Sequence, residues 1–373
     1  KTKLSATLGQ GVEDPESVEL ADKARWVRVL VQFITDAGLP VVALVPEGAE
    51  AGAIWMRLFG SRRAKTLRNR ARCWKKYAEW LNLVRGVSWP RNFADISSYL
   101  EMRCEDGCGH SLPGDLMASL SVLEEVGRVP IENKLSQDSS LKAIVRSMQE
   151  EQQRDAPPKK RANMYTAAMV IGLELLVVCE EQAWYCRFVA FLMLLSLWMC
   201  LRVDDLQWLD PNRIVFTDEG LTVILRRSKT TGPGRRAREV PAYVHREASL
   251  AGADWLKAGV GLLAGDEFCW VRPYFVPRPT ADWQGTQRRY ASPECICTYF
   301  RSVIKEIRAP TRSGNTWVLD GRELIRAELT GFWSGHSGRR WLPTWTAMLG
   351  MSKGDRDFLG RWEAGAHQSD EYV

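Results

Sequence analysis

The sequence predicts a mainly α-helical protein with a small antiparallel β-sheet, arranged as a helical first domain and an α+β second domain. Three observations carry this expectation. Apolar residues recur at helical spacing through most of the first 153 positions. A proline-containing basic segment, Arg154-Asp155-Ala156-Pro157-Pro158-Lys159-Lys160-Arg161, then has the chemistry of a linker. Beyond it the period shifts to that of short strands between Arg213 and Tyr243. At about 150 residues per domain, 373 residues imply two domains, with boundaries at 1–153, 154–162 and 163–373.

In chain order, residues 1–14 are polar and aperiodic, and residues 16–37 follow with Leu20, Ala24, Val27, Leu30, Phe33 and Ile34 on one helical stripe. Gly38-Leu39-Pro40 stops that helix. A second helical stretch begins near Ile54 and resumes over 62–84, where Trp74, Tyr77, Trp80 and Leu81 form the apolar stripe. Shorter helices are expected over 92–103, 114–126 and 134–153. The second domain opens with 164–179 and 181–200, apolar on more than one face and therefore buried helices. Strands are expected over 213–216, 221–227 and 237–243, with turns at Asp218-Glu219-Gly220 and Thr231-Gly232-Pro233-Gly234. Helices return over 293–307 and 321–329, and Trp333, Trp341 and Trp345 are expected to pack the helix after His336-x-x-Arg339.

Composition narrows the class. The chain is 45% hydrophobic and 26% charged, as in a soluble globular protein, and its longest apolar run, 188–201, is shorter than the ~18 residues of a membrane span. Nine cysteines without regular spacing argue for reduced thiols inside the cell rather than a disulfide framework. Cys104, Cys108 and His110 have a spacing that invites zinc, but a fourth ligand is missing nearby, so no metal or cofactor is expected. The chain opens on Lys1 and closes one residue past Tyr372, which reads as a piece of something longer.

A net charge of +6 is modest, and its clustering matters more than its size. From Arg57 to Lys76 the chain carries Arg62, Arg63, Lys65, Arg68, Arg70, Arg72, Lys75 and Lys76 without one acidic residue. Solvated helices normally mix their signs; a one-sign helix suits a phosphate backbone, where each neutralised phosphate releases counterions. Lys159 and Lys160 in the linker extend the basic character, as do Arg226, Arg227, Arg235 and Arg236 around the expected hairpin.

Cleaving a phosphodiester with a side chain requires a nucleophile, cationic donors for the nonbridging oxygens and an acid for the leaving oxygen. The chain offers Arg202 in Leu201-Arg202-Val203-Asp204-Asp205-Leu206, Lys229 in Ser228-Lys229-Thr230, His336 and Arg339 in His336-Ser337-Gly338-Arg339, Trp362 in Leu359-Gly360-Arg361-Trp362, and Tyr372. In this order and context the second domain resembles the tyrosine recombinase and integrase family, and the basic helical domain resembles that family's core-binding domain in character. The resemblance implies that Arg202 and Arg339 clamp the scissile phosphate, with Asp205 orienting an arginine. His336 and Trp362 would donate to the same oxygens, Lys229 would protonate the departing 5′ oxygen, and Tyr372 would become linked to a 3′ phosphate. The stretch from Trp362 to Tyr372 is longer than the family pattern, so Trp362, Arg361 and His367 all remain open for the fifth role. The resemblance further implies a double-stranded DNA partner, a homo-tetramer on paired sites where a C-terminal helix follows the tyrosine, no metal or ATP, and mobilisation of a transposable element, in the nucleus if the host is eukaryotic. Two alternatives stand beside it: a type IB topoisomerase and a domesticated, inactive DNA-binding protein.

Overall fold

The computed structural model describes residues 15–154, 162–227, 239–270 and 272–362, which divide into two compact units, one within 16–159 and the other within 160–373. The first unit is all-helical: α1 (Pro15–Asp36), α2 (Ala51–Leu58), α3 (Ala64–Arg85), α4 (Phe93–Glu105), α5 (Leu112–Val126) and α6 (Ser139–Arg154). Its centre is α3. Leu67, Ala71, Trp74, Tyr77 and Leu81 repeat at helical spacing and are buried, so one face of α3 goes inward and the basic residues are left on the other. Burying each such side chain contributes about 1.5–3 kcal/mol. Trp74 and Tyr77 meet edge-on at 5.1 Å, and Tyr77 meets Tyr99 of α4 at 5.1 Å, so the aromatic stripe serves as core. Gly86 terminates α3 in the left-handed region, at φ 66°.

Glu124 of α5 is fully buried and accepts from the Ser136 backbone N–H, tying a 3-10 turn (Leu135–Gln137) to the helix. Thiols Cys104 and Cys108 lie 4.0 Å apart, and the Gln152 side-chain amide stands at 2.8 Å from the first and 3.2 Å from the second. Among the described residues no group of three or more His, Cys, Asp or Glu side chains is placed to hold a metal ion.

The second unit contains α7 (Ala167–Val178), α8 (Trp184–Trp198), the short α9 (Val203–Leu206), strands β1 (Val215–Phe216), β2 (Gly220–Leu225) and β3 (Val240–His245), α10 (Trp255–Ala264), a hairpin of β4 (Pro277–Pro279) and β5 (Thr286–Tyr290), α11 (Pro293–Glu306), a second hairpin of β6 (Arg308–Ser313) and β7 (Thr316–Glu323), α12 (Ser337–Met348) and α13 (Lys353–Gly360). The first three strands form an antiparallel sheet in the order β1-β2-β3. Helix α8 is buried on all sides, with α7, α10, α11 and α12 packed around it. That explains why its sequence is apolar without a polar face. Among the described residues no helix is long and apolar enough to cross a membrane.

The mainly α architecture with small antiparallel sheets matches the expectation, with one correction. The helix expected over 321–329 is absent: β7 runs through Glu323 and a 3-10 segment (Ala327–Phe332) follows. Its cause lies upstream, where Gly314 at φ 61° closes a tight turn that pairs Ser313 with Thr316 and zips 308–313 against 316–323. Long-range pairing overrides the weak helical spacing there.

Candidate active site

Between α8 and α9 the chain makes a sharp turn, in which Cys200 takes the left-handed conformation at φ 49°. Arg202 then sits at the N-cap of α9, where the Asp205 carboxylate accepts from the Arg202 backbone N–H at 2.9 Å. The same carboxylate stands 3.9 Å from the Arg202 guanidinium, a loose ion pair that leaves the side chain 20% exposed. Asp205 is buried and thereby fixes both the turn and the arginine that projects from it.

Arg339 arrives from α12, and the helix must lie close to α8 for it to reach the turn. Glycines permit this. A Cβ on Gly338 would stand 2.5 Å from the Ser196 hydroxyl of α8, and one on Gly335 would stand 2.9 Å from Val203 of α9. At 1% exposure, Arg339 donates from Nη1 to the Cys200 carbonyl at 2.7 Å and from Nη2 to the Gly360 carbonyl at 2.6 Å. Its guanidinium carbon lies 4.7 Å from the centre of the Trp362 ring. Burial holds its pKa down to about 10, and repulsion from Arg202 adds to this against the attraction of Asp205. Arg339 therefore links the end of α8 to the end of α13 while its Nε–H has no hydrogen-bond partner among the described residues.

His336 caps the N-terminus of α12, one helical turn before Arg339, and is exposed. A tight turn holds it there: the Ser337 hydroxyl accepts from the Ser334 N–H at 2.9 Å and the Ser334 hydroxyl from the His336 N–H at 3.2 Å. Trp362 is buried, and its ring occupies the space that a Cβ on Gly360 would need, only 1.9 Å away. The structure thus brings Arg202, Asp205, Arg339 and Trp362 into one cluster around the Cys200 turn.

A further member is one of the three residues the sequence leaves open for the fifth role. Arg361 reaches back and donates from Nη2 to the same Cys200 carbonyl at 3.1 Å. Burial lowers its pKa, with Cys200 and Asp205 opposing and Arg202 reinforcing the shift. The signal available was Gly360-Arg361, an arginine at the place where a helix stop favours glycine. Lys229 and Tyr372 lie outside the described residues; Lys229 falls in the chain between the paired ends Leu225 and Val240 of β2 and β3.

The basic residues divide by environment. On α3, Lys65, Arg72 and Lys76 are exposed along one face, and Arg72 and Arg25 both stand over the Trp26 ring, at 5.5 and 5.2 Å. Arg62 is engaged by Glu125 at 2.5 Å and Arg70 by Asp115 at 3.1 Å, while Arg63 is the N-cap residue of α3 and Arg68 is half-buried. In the second unit Arg226 donates to the Pro273 carbonyl and Arg227 stands 4.9 Å over the Trp208 ring. Lys159, Lys160, Arg235, Arg236 and His367 lie outside the described residues.

No protein-family model matches the chain, and no curated protein matches its sequence. Among solved structures, it is similar to the Tn1549 transposon integrase in complex with transposon right end DNA, at 11% identity over 86% of this chain and 95% of that one, with a TM-score of 0.43. It is also similar to a FLP recombinase–Holliday junction complex, at 12% identity over 95% and 78% of the two chains and a TM-score of 0.37. A Flpe variant bound to a DNA Holliday junction aligns at 13% identity and a TM-score of 0.35, covering 66% of this chain and 58% of that chain's length.

Proposed function

We propose that the protein is a tyrosine recombinase that cleaves and rejoins double-stranded DNA through a 3′-phosphotyrosyl intermediate. The observation that carries the reading is the convergence of Arg202 and Arg339, from segments more than a hundred residues apart, on one turn beside the carboxylate of Asp205. Among the described residues, two guanidinium groups against one carboxylate leave excess positive charge at the turn, suited to a phosphodiester.

In this reading the two guanidinium forks hold the nonbridging oxygens, and His336 donates to one of them from the open side of the pocket. Trp362 stacks on Arg339 and keeps its plane fixed. The Tyr372 oxygen attacks phosphorus, the bond to the 5′ oxygen breaks, and Lys229 gives that oxygen a proton. Because a phenol has a pKa of about 10, its own proton passes to a base as it attacks. A 5′ hydroxyl from another strand reverses the same steps, so the phosphoryl bond is conserved throughout. The exposed Lys65, Arg72 and Lys76 face supplies backbone contacts that position the duplex without reading its sequence. Homo-tetramers on paired sites and the mobilisation of a transposable element complete the proposal.

A suicide-substrate assay tests it. Nicked duplexes of genomic sequence are incubated with the protein in EDTA, denatured and scored for covalent adducts beside Tyr372→Phe. Adducts that need Tyr372 are expected. Salt-dependent DNA binding without adducts, repeated with a chain extended beyond Val373, would instead establish the inactive DNA-binding protein.

A further inference from the structure

We propose that Arg361 supplies a third guanidinium to the oxyanion pocket of Arg202 and Arg339, acting on the phosphate that they clamp; the inference rests on the phosphodiester reading of that pocket. The backbone is the first observation. Helix α13 ends in a Schellman motif: the Trp362 N–H bonds the Asp357 carbonyl at 2.9 Å and the Arg361 N–H bonds the Phe358 carbonyl at 3.0 Å, with Arg361 left-handed at φ 53°, ψ 44°. Glycine is the usual occupant there, because a Cβ in this conformation costs on the order of 1 kcal/mol. Ending the helix requires nothing of the side chain, so the helix stop does not account for a guanidinium at this position.

Placement is the second observation. Instead of extending into solvent, Arg361 folds back so that its Nη2 and the Nη1 of Arg339 meet on the Cys200 carbonyl oxygen. One bond to a carbonyl occupies a single N–H of the five on a guanidinium, and among the described residues the others of Arg361 are not committed elsewhere.

Charge is the third. Arg361 and Arg339 each feel the repulsion of Arg202 and the attraction of Asp205, the one carboxylate that acts on either among the described residues. Among the described residues, three cations stand against one anion, an excess of two positive charges. A phosphodiester brings one negative charge, and a second develops on its nonbridging oxygens as a phenolate attacks. The third guanidinium is therefore matched to the transition state more than to bound DNA, which is where added binding accelerates a reaction.

Inorganic phosphate is the probe, titrated into the intact protein by thermal shift with ionic strength held constant by chloride. Arg361→Gly suits the left-handed position and so removes the guanidinium without burdening the fold, and Arg361→Lys keeps a charge without the fork. The expected result is a saturable rise in Tm for the unaltered protein, about tenfold weaker binding or worse in Arg361→Gly at an unchanged or raised unliganded Tm, and an intermediate loss in Arg361→Lys. Equal phosphate affinity in Arg361→Gly would overturn the proposal, as would a protein that shows no saturable response. The strand-cleavage reading fails separately: Arg361-dependent phosphate binding without Tyr372 adducts would sink that reading alone, whereas adducts formed at the unaltered rate by Arg361→Gly would sink only the third guanidinium.

Discussion

Arg272 and Arg339 are both buried arginines stacked on aromatic rings, and burial holds the pKa of each down to about 10. Their surroundings differ. Arg272 gives its Nη hydrogens to the carbonyls of Phe268, Trp270 and Phe275, all within one short loop, and stands 4.5 Å over the Trp270 ring. Burial is the main influence on it, and Tyr274 and Cys269, the neighbouring titratable groups that act on it, favour its cationic form. Arg339 instead joins the Cys200 turn to the end of α13, and a second arginine repels it. A buried cation alone therefore marks structure. Cations gathered against their own repulsion are, in the reading proposed for Arg202 and Arg339, a place for an anion.

The strongest way to break this comparison is to remove each guanidinium. Arg339→Met is expected to lower the rate of covalent adduct formation by on the order of 10²–10³, the loss typical of one oxyanion donor, measured in single turnover on the nicked duplex. Arg272→Met is expected to leave adduct formation per folded molecule unchanged and to destabilise the fold by about 3 kcal/mol, read from urea unfolding, because three carbonyls lose a buried donor. Proportional loss of cleavage in both variants would show that the two sites do not differ in kind. Gly338→Ala addresses the approach that carries Arg339 inward: an added Cβ must displace the Ser196 hydroxyl, which donates to the Met193 carbonyl at 2.7 Å. A stability loss of about 1–3 kcal/mol is expected by the same unfolding measurement, with adduct formation falling alongside it.

Much of this was legible because local chemistry decided it. The stripe of α3 and the all-round apolar α8 follow directly from spacing, and the fold class follows from them. Arg202, Asp205, Arg339 and Trp362 could be named as candidates in advance, but their meeting on a backbone carbonyl could not, since Cys200 carries no side-chain signal for that role. Arg361 was only one of three options for the fifth position, because a left-handed helix end that turns its side chain back depends on packing against a distant turn. The hairpin of β6 and β7 was misread for a related reason: its strands are largely exposed and lack alternation, and the useful sign was the turn Ser313-Gly314-Asn315 rather than the strands.

Glu174 is the acidic counterpart of Arg272 and sharpens the same distinction. Fully buried in α7, it accepts from the Ser249 hydroxyl at 2.7 Å, the Leu250 N–H at 3.0 Å and the Ala251 N–H at 2.7 Å, and it makes no ion pair among the described residues. Burial raises its pKa above the ordinary 4.5, although those donors hold it back. The native state therefore binds this proton more readily than the unfolded chain. The group's contribution to stability is full below pH 4.5 and is lost as pH rises through the elevated native value. Glu174→Gln is expected to flatten the decline of stability between mildly acidic and neutral pH, measured as urea midpoints. At neutral pH it should cost about 1–2 kcal/mol, because an amide nitrogen cannot accept from those donors.

The smallest expected effect concerns the two kinds of basic residue on α3. Lys65 and Lys76 are exposed on the outer face, whereas Arg70 is held by Asp115 at 3.1 Å. If the outer face follows a phosphate backbone, Lys65→Ala and Lys76→Ala should each weaken binding to any duplex severalfold and reduce the slope of log affinity against log salt by about one. Arg70→Ala removes the same unit of charge from an ion pair, so it should shift affinity less and leave the slope nearly unchanged, with a stability loss below about 1 kcal/mol. Fluorescence anisotropy across a salt series separates the two cases. Equal slopes for all three variants would mean that net charge alone, rather than the exposed face of α3, attracts DNA.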